Sequence, residues 1–380
     1  MARSKSLLGL TAAVGAVVTL TTATSAHADL APTKDDVVGI GSDTVQNIVD
    51  FLADGDTAGD NGYNATGPKN RIVSFDATPD ANDRAGYLNG STLSAPIALN
   101  PTIVLRQGTQ PVQRPNGSGA GVAALIADTT HKIDFVRMSR LPKVAEQNSA
   151  TAATGVGPLR VIKISTDNLK LATATTTNAP DNLTAQQIVD IYTCKTTDWA
   201  TDGGTAGTIA PLIPQSGSGT GDTFRNDLAT LNGGTAVTLG SCVTTVEEND
   251  PSSVNTNPNA IVPFSEGRKN LYDAGYFNDP KNKFGTAQTK LTSGIKFVAA
   301  STYTDTRGLY IVFRNSDVAS TKAFQPGGSL NWVQDLFYNP TNAGSATPFV
   351  NTDAGKALIA AAGATPAYKD CGSGASVTSC

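Results

Sequence analysis

The chain has 380 residues, of which 39% are hydrophobic and 16% charged, and this length is sufficient for about two globular domains. Its formal net charge is −4, and no run of Lys or Arg occurs in the sequence. The charge therefore argues against a nucleic-acid partner.

The first 28 residues have the three parts of a secretory signal peptide. Arg3 and Lys5 form the charged part, and LLGLTAAVGAVVTL is an apolar part shorter than the roughly 20 residues of a membrane span. Residues 26–28, AHA, form a small-x-small cleavage site. We predict cleavage after Ala28 and secretion of a chain that begins at Asp29. Its 26 basic and 32 acidic residues give a formal charge of −6.

The strand and helix patterns alternate along the chain. The predicted strands are residues 71–75, 102–106, 132–139, 159–165, 169–175, 207–214, 294–300 and 308–314. Helices are predicted at 121–128, after Thr184, which forms a capping box with Gln187, and at 354–364. Long polar loops are predicted at 54–70, 142–156 and 245–260. The alternation indicates an α/β protein with largely parallel sheets, whose ligand loops follow the carboxyl ends of the strands.

Four cysteines lie in the predicted mature chain, and an even number in an exported protein indicates disulfides. Of the three possible pairings we favour Cys194–Cys242 and Cys371–Cys380. The second pair would close the C-terminal segment and leave the first pair inside one domain. No Cys-x-x-Cys occurs, and His131 is the only histidine of the mature chain. The sequence therefore predicts neither a metal site nor a cofactor.

Three turns rich in Gly, Ser and Thr lead into helices, at residues 39–44, 116–121 and 215–220. A helix start offers unpaired N–H groups and the positive end of the helix dipole, and glycine lets the backbone approach a ligand closely. Three such starts aimed at one point would bind a small oxyanion. Taken singly, each turn is better explained as an ordinary helix cap, and only the occurrence of three turns favours a site. GSGTG lacks the lysine of an ATP-binding loop, and we interpret His131 as a surface residue and not as part of a catalytic triad.

In this order, the motifs GIGSDT, NGSGAG, DFVRMSR and PQSGSGT resemble those of phosphate-binding proteins of ABC uptake systems. The segments LTAQQIVDIYTCKTTDW and TDAGKALIAAAGATPA are also similar to that family, so the resemblance covers nearly the whole mature chain. It implies an α/β, two-domain type 2 periplasmic-binding-protein fold, with phosphate bound in an interdomain cleft. We expect domain I to contain residues 29–165 and 306–380, and domain II to contain residues 166–305.

The resemblance also implies a ligand set drawn from the three turns: Ser42, Asp43, Thr44, Ser118, Ser218, Gly219 and Thr220. Two positions depart from the family pattern. LIPQ replaces the arginine before the third turn, and Ser139 replaces an aspartate at the end of a strand. Arg137 lies two residues before Ser139, on the same face of that strand. We expect Arg137 to supply the missing guanidinium, with Arg140 and Arg225 as lesser candidates. Alternatively, Arg137 pairs with a structural carboxylate.

Asp43 has two candidate roles. Its carboxylate would accept a hydrogen bond from a protonated ligand and repel an unprotonated one, which favours phosphate over sulfate. Alternatively, Asp43 and Gln46 form a capping box. The leading prediction is a monomeric, non-enzymatic, extracellular protein that delivers phosphate to an ABC permease. The alternatives are a binding protein for another oxyanion, a sensor or surface protein without transport, and, least favoured, a secreted phosphoester hydrolase.

Overall fold

The strands and helices come from a computed structural model, which describes residues 31–56, 58–66, 71–78, 87–88, 91–92, 102–276, 292–299, 303–319, 331–339 and 347–380. The predicted signal peptide lies outside these residues. The strands are β1 (Val37–Gly41), β2 (Ile72–Ser74), β3 (Tyr87–Leu88), β4 (Ser91–Thr92), β5 (Thr102–Ile103), β6 (Val112–Gln113), β7 (Phe135–Met138), β8 (Leu159–Ala174), β9 (Ala210–Pro214), β10 (Thr244–Val246), β11 (Ala260–Ser265), β12 (Ile295–Phe297), β13 (Asp305–Arg314) and β14 (Thr365–Ser373). The helices are α1 (Asp43–Asp54), α2 (Ser118–Ala127), α3 (Val144–Ala152), α4 (Ala185–Tyr192), α5 (Gly219–Leu231), α6 (Glu266–Asp273), α7 (Trp332–Leu336) and α8 (Asp353–Ala361).

A ten-stranded sheet organises the described part of the chain, with the order β10-β9-β11-β8-β13-β7-β1-β2 and with β12 and β14 also paired to β8. The strands β2, β1 and β7 are parallel, and so are β10, β9 and β11. Between these groups, β8 and β13 run antiparallel to their neighbours. The α/β prediction is confirmed, but the parallel arrangement holds only for the two outer groups of strands.

The strand β8 corrects the prediction of two separate strands at 159–165 and 169–175, because the chain continues through 166–168 as one strand of 16 residues. Its partner β13 pairs with it from Leu159 opposite Arg314 to Leu169 opposite Asp305. These two long strands carry the chain from one end of the sheet to the other.

Four apolar clusters pack against the sheet, two at each end of β8 and β13. We call the end with β1, β2, β7, β14, α1, α2, α3 and α8 lobe I, and the end with β9 to β12, α4, α5 and α6 lobe II. The strand β8 supplies Val161 and Ile162 to lobe I and Leu171 and Ala172 to lobe II. Each lobe therefore has its own apolar core. Burial of each large apolar side chain in these cores contributes about 1.5–3 kcal/mol to stability. The predicted domain boundaries near 165 and 306 stay a prediction.

In lobe I, the structure corrects two predicted elements, a loop and the start of a helix. The segment 142–156, predicted as a loop, contains α3, because the Glu146 carboxylate accepts a hydrogen bond from the N–H of Lys143 at 2.7 Å and caps the helix. The helix predicted from residue 121 begins at Ser118, so the glycine-rich turn itself forms the first turn of α2.

Both predicted disulfides are confirmed. Cys194 and Cys242 are bonded with a Cα–Cα distance of 5.9 Å, and Cys371 and Cys380 with 5.5 Å. The capping box at the start of α4 is also confirmed, since the N–H of Thr184 donates to Gln187 Oε1 at 2.8 Å. None of the helices in the described ranges is long and apolar enough to cross a bilayer.

Candidate functional site

The starts of α1, α2 and α5 meet between the two lobes. Thr44 Oγ1, at the start of α1, lies 3.3 Å from Thr220 Oγ1, at the start of α5. A Cβ atom on Gly219 would overlap the hydroxyl oxygens of Ser118 and Ser139. Only glycine therefore allows α5 to approach the start of α2 this closely.

The second and third glycine turns are also in direct backbone contact. The N–H of Gly119 donates to the carbonyl of Gly217 at 2.9 Å. Gly117 has a φ of 99°, and a Cβ atom there would overlap the Gly217 carbonyl. Ser118 Oγ accepts a hydrogen bond from the N–H of Ser139 at 3.0 Å, so the end of β7 joins the same cluster.

Two serines precede helices at this cluster, and their hydroxyls differ in environment. Ser218 Oγ caps α5 by accepting the N–H of Gly221 at 3.0 Å. Ser42 is the N-cap of α1, yet its hydroxyl makes no capping bond and is buried without a hydrogen-bond partner among the described residues. An unpaired buried polar group costs roughly 1–3 kcal/mol, so Ser42 Oγ is suited to receive a polar ligand.

Arg307 places a guanidinium beside the helix starts, and sequence reasoning missed it. Its Nη1 donates to Thr220 Oγ1 at 2.6 Å, and its Nη2 donates to Thr44 Oγ1 at 3.4 Å. Nη2 also pairs with Asp167 Oδ2 at 3.0 Å, and both side chains are buried. Its position in the sequence could have indicated it. Arg307 comes just before the predicted strand 308–314, where the chain was expected to cross between domains.

Glu248 faces Arg307 across the same two threonine hydroxyls. Thr44 Oγ1 donates to Glu248 Oε1 at 2.7 Å, and Thr220 Oγ1 donates to the same oxygen. The other carboxylate oxygen, Oε2, is buried and has no hydrogen-bond partner in the described part of the chain. Among the described residues, the site thus contains an unpaired acceptor on Glu248 and an unpaired hydroxyl on Ser42.

Asp43 has both carboxylate oxygens engaged with lobe II. Oδ1 lies 3.2 Å from Arg268 Nη2, and Oδ2 accepts from Asn249 Nδ2 at 2.9 Å. Burial raises the pKa of Asp43 to about 6, and the neighbouring Glu248 carboxylate adds to this rise. Asp43 therefore links the start of α1 to lobe II across the cleft.

The capping-box prediction for Asp43 and Gln46 is wrong. Ser42 is the N-cap, and Asp43 is the first residue of α1. Gln46 Oε1 accepts the N–H of Ala77 at 2.9 Å and is therefore directed to the segment after β2.

Arg137 lies fully buried behind the first turn. Its Nη2 donates to the carbonyl of Phe75 at 2.6 Å, its Nε donates to the carbonyl of Ser42 at 3.3 Å, and its Nη1 donates to Ser74 Oγ. Burial lowers the pKa of Arg137, while the nearby Asp50 carboxyl opposes this shift. These partners are carbonyls and a hydroxyl and not the carboxylate of the alternative interpretation, and ligand contact by Arg137 stays a prediction.

The two lesser arginine candidates have separate positions. Arg140 pairs with Glu146 at 2.7 Å and with Asp222 at 2.8 Å, so it links lobe I to α5. Arg225 is exposed on α5. His131 is exposed with a φ of 55°, which confirms that it is a surface residue.

Glu247, next to Glu248, joins the lobes at the rim of the site. Its Oε1 accepts from Asn116 Nδ2 and from Gln215 Nε2, each at 2.9 Å. Burial raises the pKa of Glu247 to about 7, and the Asp43 carboxylate adds to the rise. The segment 247–249 therefore places three consecutive side chains against lobe I.

The change Glu247→Gln should weaken the pH dependence of stability. The pKa of Glu247 is about 7 in the folded protein, whereas an unperturbed glutamate in the unfolded chain has a pKa of 4.5. The free energy of unfolding therefore falls as pH rises through this interval. Glutamine keeps the acceptor but does not titrate. We expect thermal unfolding at pH 5 and pH 8 to show a Tm difference at least about 2 °C smaller in the variant, and equal differences would contradict the assignment.

The fold and the site together define a two-lobed α/β binding protein, in which both lobes contribute polar groups to one buried cleft. A family model described as a PBP superfamily domain matches residues 87–333. The chain belongs to this superfamily. The prediction of a type 2 periplasmic-binding-protein fold is thereby confirmed. No curated protein sequence matches the chain significantly.

Several solved structures are similar to this chain. One is a substrate-binding protein from Clostridium perfringens, described as that of a phosphate ABC transporter and solved with bound phosphate; it is 17% identical, with a TM-score of 0.50 over 87% of this chain and 99% of that one. An ABC-type phosphate transport receptor from Vibrio cholerae is 17% identical, with a TM-score of 0.47 over 87% and 100%. A phosphate-binding protein from Stenotrophomonas maltophilia is 13% identical, with a TM-score of 0.45 over 87% and 90%.

Proposed function

We propose that the protein is an extracellular solute-binding protein that captures inorganic phosphate for an ABC uptake system. The observation that carries this proposal is the meeting of three helix starts and a buried arginine, Arg307, at one point between the lobes. Helix starts and a guanidinium together are suited to a small oxyanion. The Clostridium perfringens protein, solved with bound phosphate on the same fold, supports the choice of ligand.

The proposed ligand set keeps the residues of the three turns and Ser139, adds Glu248 and Arg307, and leaves out Arg137. We propose Arg307 instead of Arg137 as the guanidinium of this set, because Arg307 bonds both threonine hydroxyls of the site. Arg137 instead holds the Ser42 carbonyl and so positions the first turn. The full set is Ser42, Asp43, Thr44, Ser118, Ser139, Ser218, Gly219, Thr220, Glu248 and Arg307.

Selection of phosphate over sulfate is assigned to Glu248. An ionised carboxylate only accepts hydrogen bonds, so it pairs with a protonated phosphate oxygen and repels an anion without a proton. Asp43 is less suited to this role, because Arg268 and Asn249 already occupy its two oxygens. Glu248 Oε2 is buried and has no partner among the described residues. The acidic groups of the site thus favour an anion that carries a proton over one that does not.

The remaining parts of the proposal concern the cell and the chain. We propose that the protein catalyses no reaction, is cleaved after Ala28, is secreted as a monomer and docks on an ABC permease. The exposed position of His131 supports the absence of a Ser-His-Asp mechanism. The boundaries at 165/166 and 305/306 are proposed as the points where β8 and β13 cross between the lobes.

Phosphate should raise the Tm of the purified protein by several degrees, whereas sulfate should do so weakly. A ligand at a hundred times its Kd that binds only the folded state contributes about 2.7 kcal/mol to the free energy of unfolding. Thermal unfolding and calorimetry with phosphate, sulfate and nucleotides measure both effect and preference. A response to another anion with none to phosphate would assign the site to that anion.

A further inference from the structure

A cavity of about 350 Å³ opens beside the proposed phosphate site, at the crossing of β8 and β13. Ser139 and Arg307 of the site also line the cavity, so the cavity adjoins the site at these two residues. The other walls come from Arg140 and Leu141 after β7, from β8, α5 and β13, and from the C-terminal residue. The cavity is therefore bounded by both lobes, as the site is.

The volume of this cavity exceeds what phosphate needs. About 10–15 Å³ of such space is enough to hold one water molecule, and phosphate has only five heavy atoms. A volume of about 350 Å³ also falls within the range of roughly 300–1,000 Å³ for small-molecule sites.

The lining of the cavity combines apolar groups with polar groups of both charges. Thr166 on β8 and Thr223 on α5 line it together with Asp305 on β13. Lys163 contributes an ammonium group, whose Nζ donates to the Cys380 main-chain oxygen at 2.8 Å. Carboxylate, ammonium and threonine groups together offer donors and acceptors for the hydroxyls of a small polyol.

We propose that the site also binds small phosphomonoesters of polyhydroxy compounds, with the phosphoryl group at the three helix starts and the organic part in this cavity. This inference rests on the proposed phosphate function. The bond from the phosphoryl group to the organic part would pass between Ser139 and Arg307, the two site residues that also line the cavity. One phosphoryl oxygen still carries a proton for Glu248 in the monoprotonated ester.

The first experiment is calorimetry of the unmodified protein with inorganic phosphate, sn-glycerol 3-phosphate and glycerol. We expect both phosphates to bind and glycerol to show no binding. If phosphate binds and glycerol 3-phosphate does not, this inference is overturned and the proposed function stays intact. If neither phosphate binds, the proposed function itself is wrong.

The second experiment fills the cavity with Thr223→Phe, and it uses Thr230→Phe as the matched control. Thr223 lines the cavity, whereas Thr230 is exposed near the end of the same helix. Thr223→Phe should weaken the binding of glycerol 3-phosphate at least tenfold and the binding of phosphate less than twofold. Thr230→Phe should change neither affinity. Equal weakening of both ligands by Thr223→Phe would overturn the placement of the organic part. If this variant does not fold, the comparison of ligands on the unmodified protein still decides the proposal.

Discussion

Arg307→Ala is expected to weaken phosphate binding at least a hundredfold. Arg307 is the guanidinium that contacts the threonine hydroxyls of both α1 and α5. A charge-assisted hydrogen bond contributes roughly 1.5–3 kcal/mol, and every 1.4 kcal/mol is a factor of ten in Kd, so two such bonds give about this loss. Calorimetry of the variant measures it. Arg307→Lys should recover only part of the affinity, because an ammonium lacks the planar fork.

The control for Arg307→Ala is Arg314→Ala on the same strand. Arg314 is also fully buried and pairs with a carboxylate, Asp128, at 3.2 Å, but it bonds the Ile133 carbonyl in the core of lobe I. Removing one partner of a buried ion pair destabilises a protein by about 3–5 kcal/mol. Both variants should therefore lower the Tm, and only Arg307→Ala should lower the affinity of the folded protein. Equal affinity in the two variants would remove Arg307 from the ligand set.

The helix starts of the site were predictable from the sequence because each turn carries a local signal. Glycine beside serine or threonine before an apolar helix specifies a start wherever it occurs. The sequence also indicated which hydroxyls the starts present, as with Thr44 and Thr220. Their distance of 3.3 Å depends instead on how the two lobes pack, and no local pattern reports that.

The charged partners of these hydroxyls were not predictable in the same way. Arg307 stands directly opposite Asp167 in the pairing of β13 with β8, but this register becomes visible only when 159–174 is one continuous strand. The polar residues at 166–168 interrupt the apolar pattern and suggested two strands. They interrupt it because Asp167 faces the cleft, where a buried carboxylate is held by Arg307. The break in the pattern was thus itself a sign of the site.

Glu248 was missed for a different reason. It belongs to the segment 245–260, which reads as a polar loop, and nothing in its neighbourhood distinguishes it from Glu247. The structure separates the two adjacent residues: Glu247 accepts two amide donors at the rim, whereas Glu248 accepts two hydroxyls from the helix starts. This difference makes the pair a matched test of which carboxylate selects the ligand.

Glu248→Gln is expected to narrow the preference for phosphate over sulfate at least tenfold. The carbonyl of glutamine can still accept from Thr44 and Thr220, as Glu248 Oε1 does. Its amide group, however, replaces the acceptor Oε2 with a donor and removes the negative charge that repels sulfate. Competition calorimetry with the two anions measures the ratio of their Kd values.

Glu247→Gln is the control, because it makes the same chemical change one residue away and should leave that ratio within about twofold, a change of roughly 0.4 kcal/mol. An unchanged ratio in Glu248→Gln, together with a narrowed one in Asp43→Asn, would return the selective role to Asp43. A third outcome also contradicts the assignment. If both anions bind more tightly to Glu248→Gln by the same factor, then Glu248 competes with the ligand for the threonine hydroxyls instead of accepting its proton. Because sulfate and phosphate differ in the proton and hardly in shape, only a change in their ratio identifies Glu248 as the acceptor.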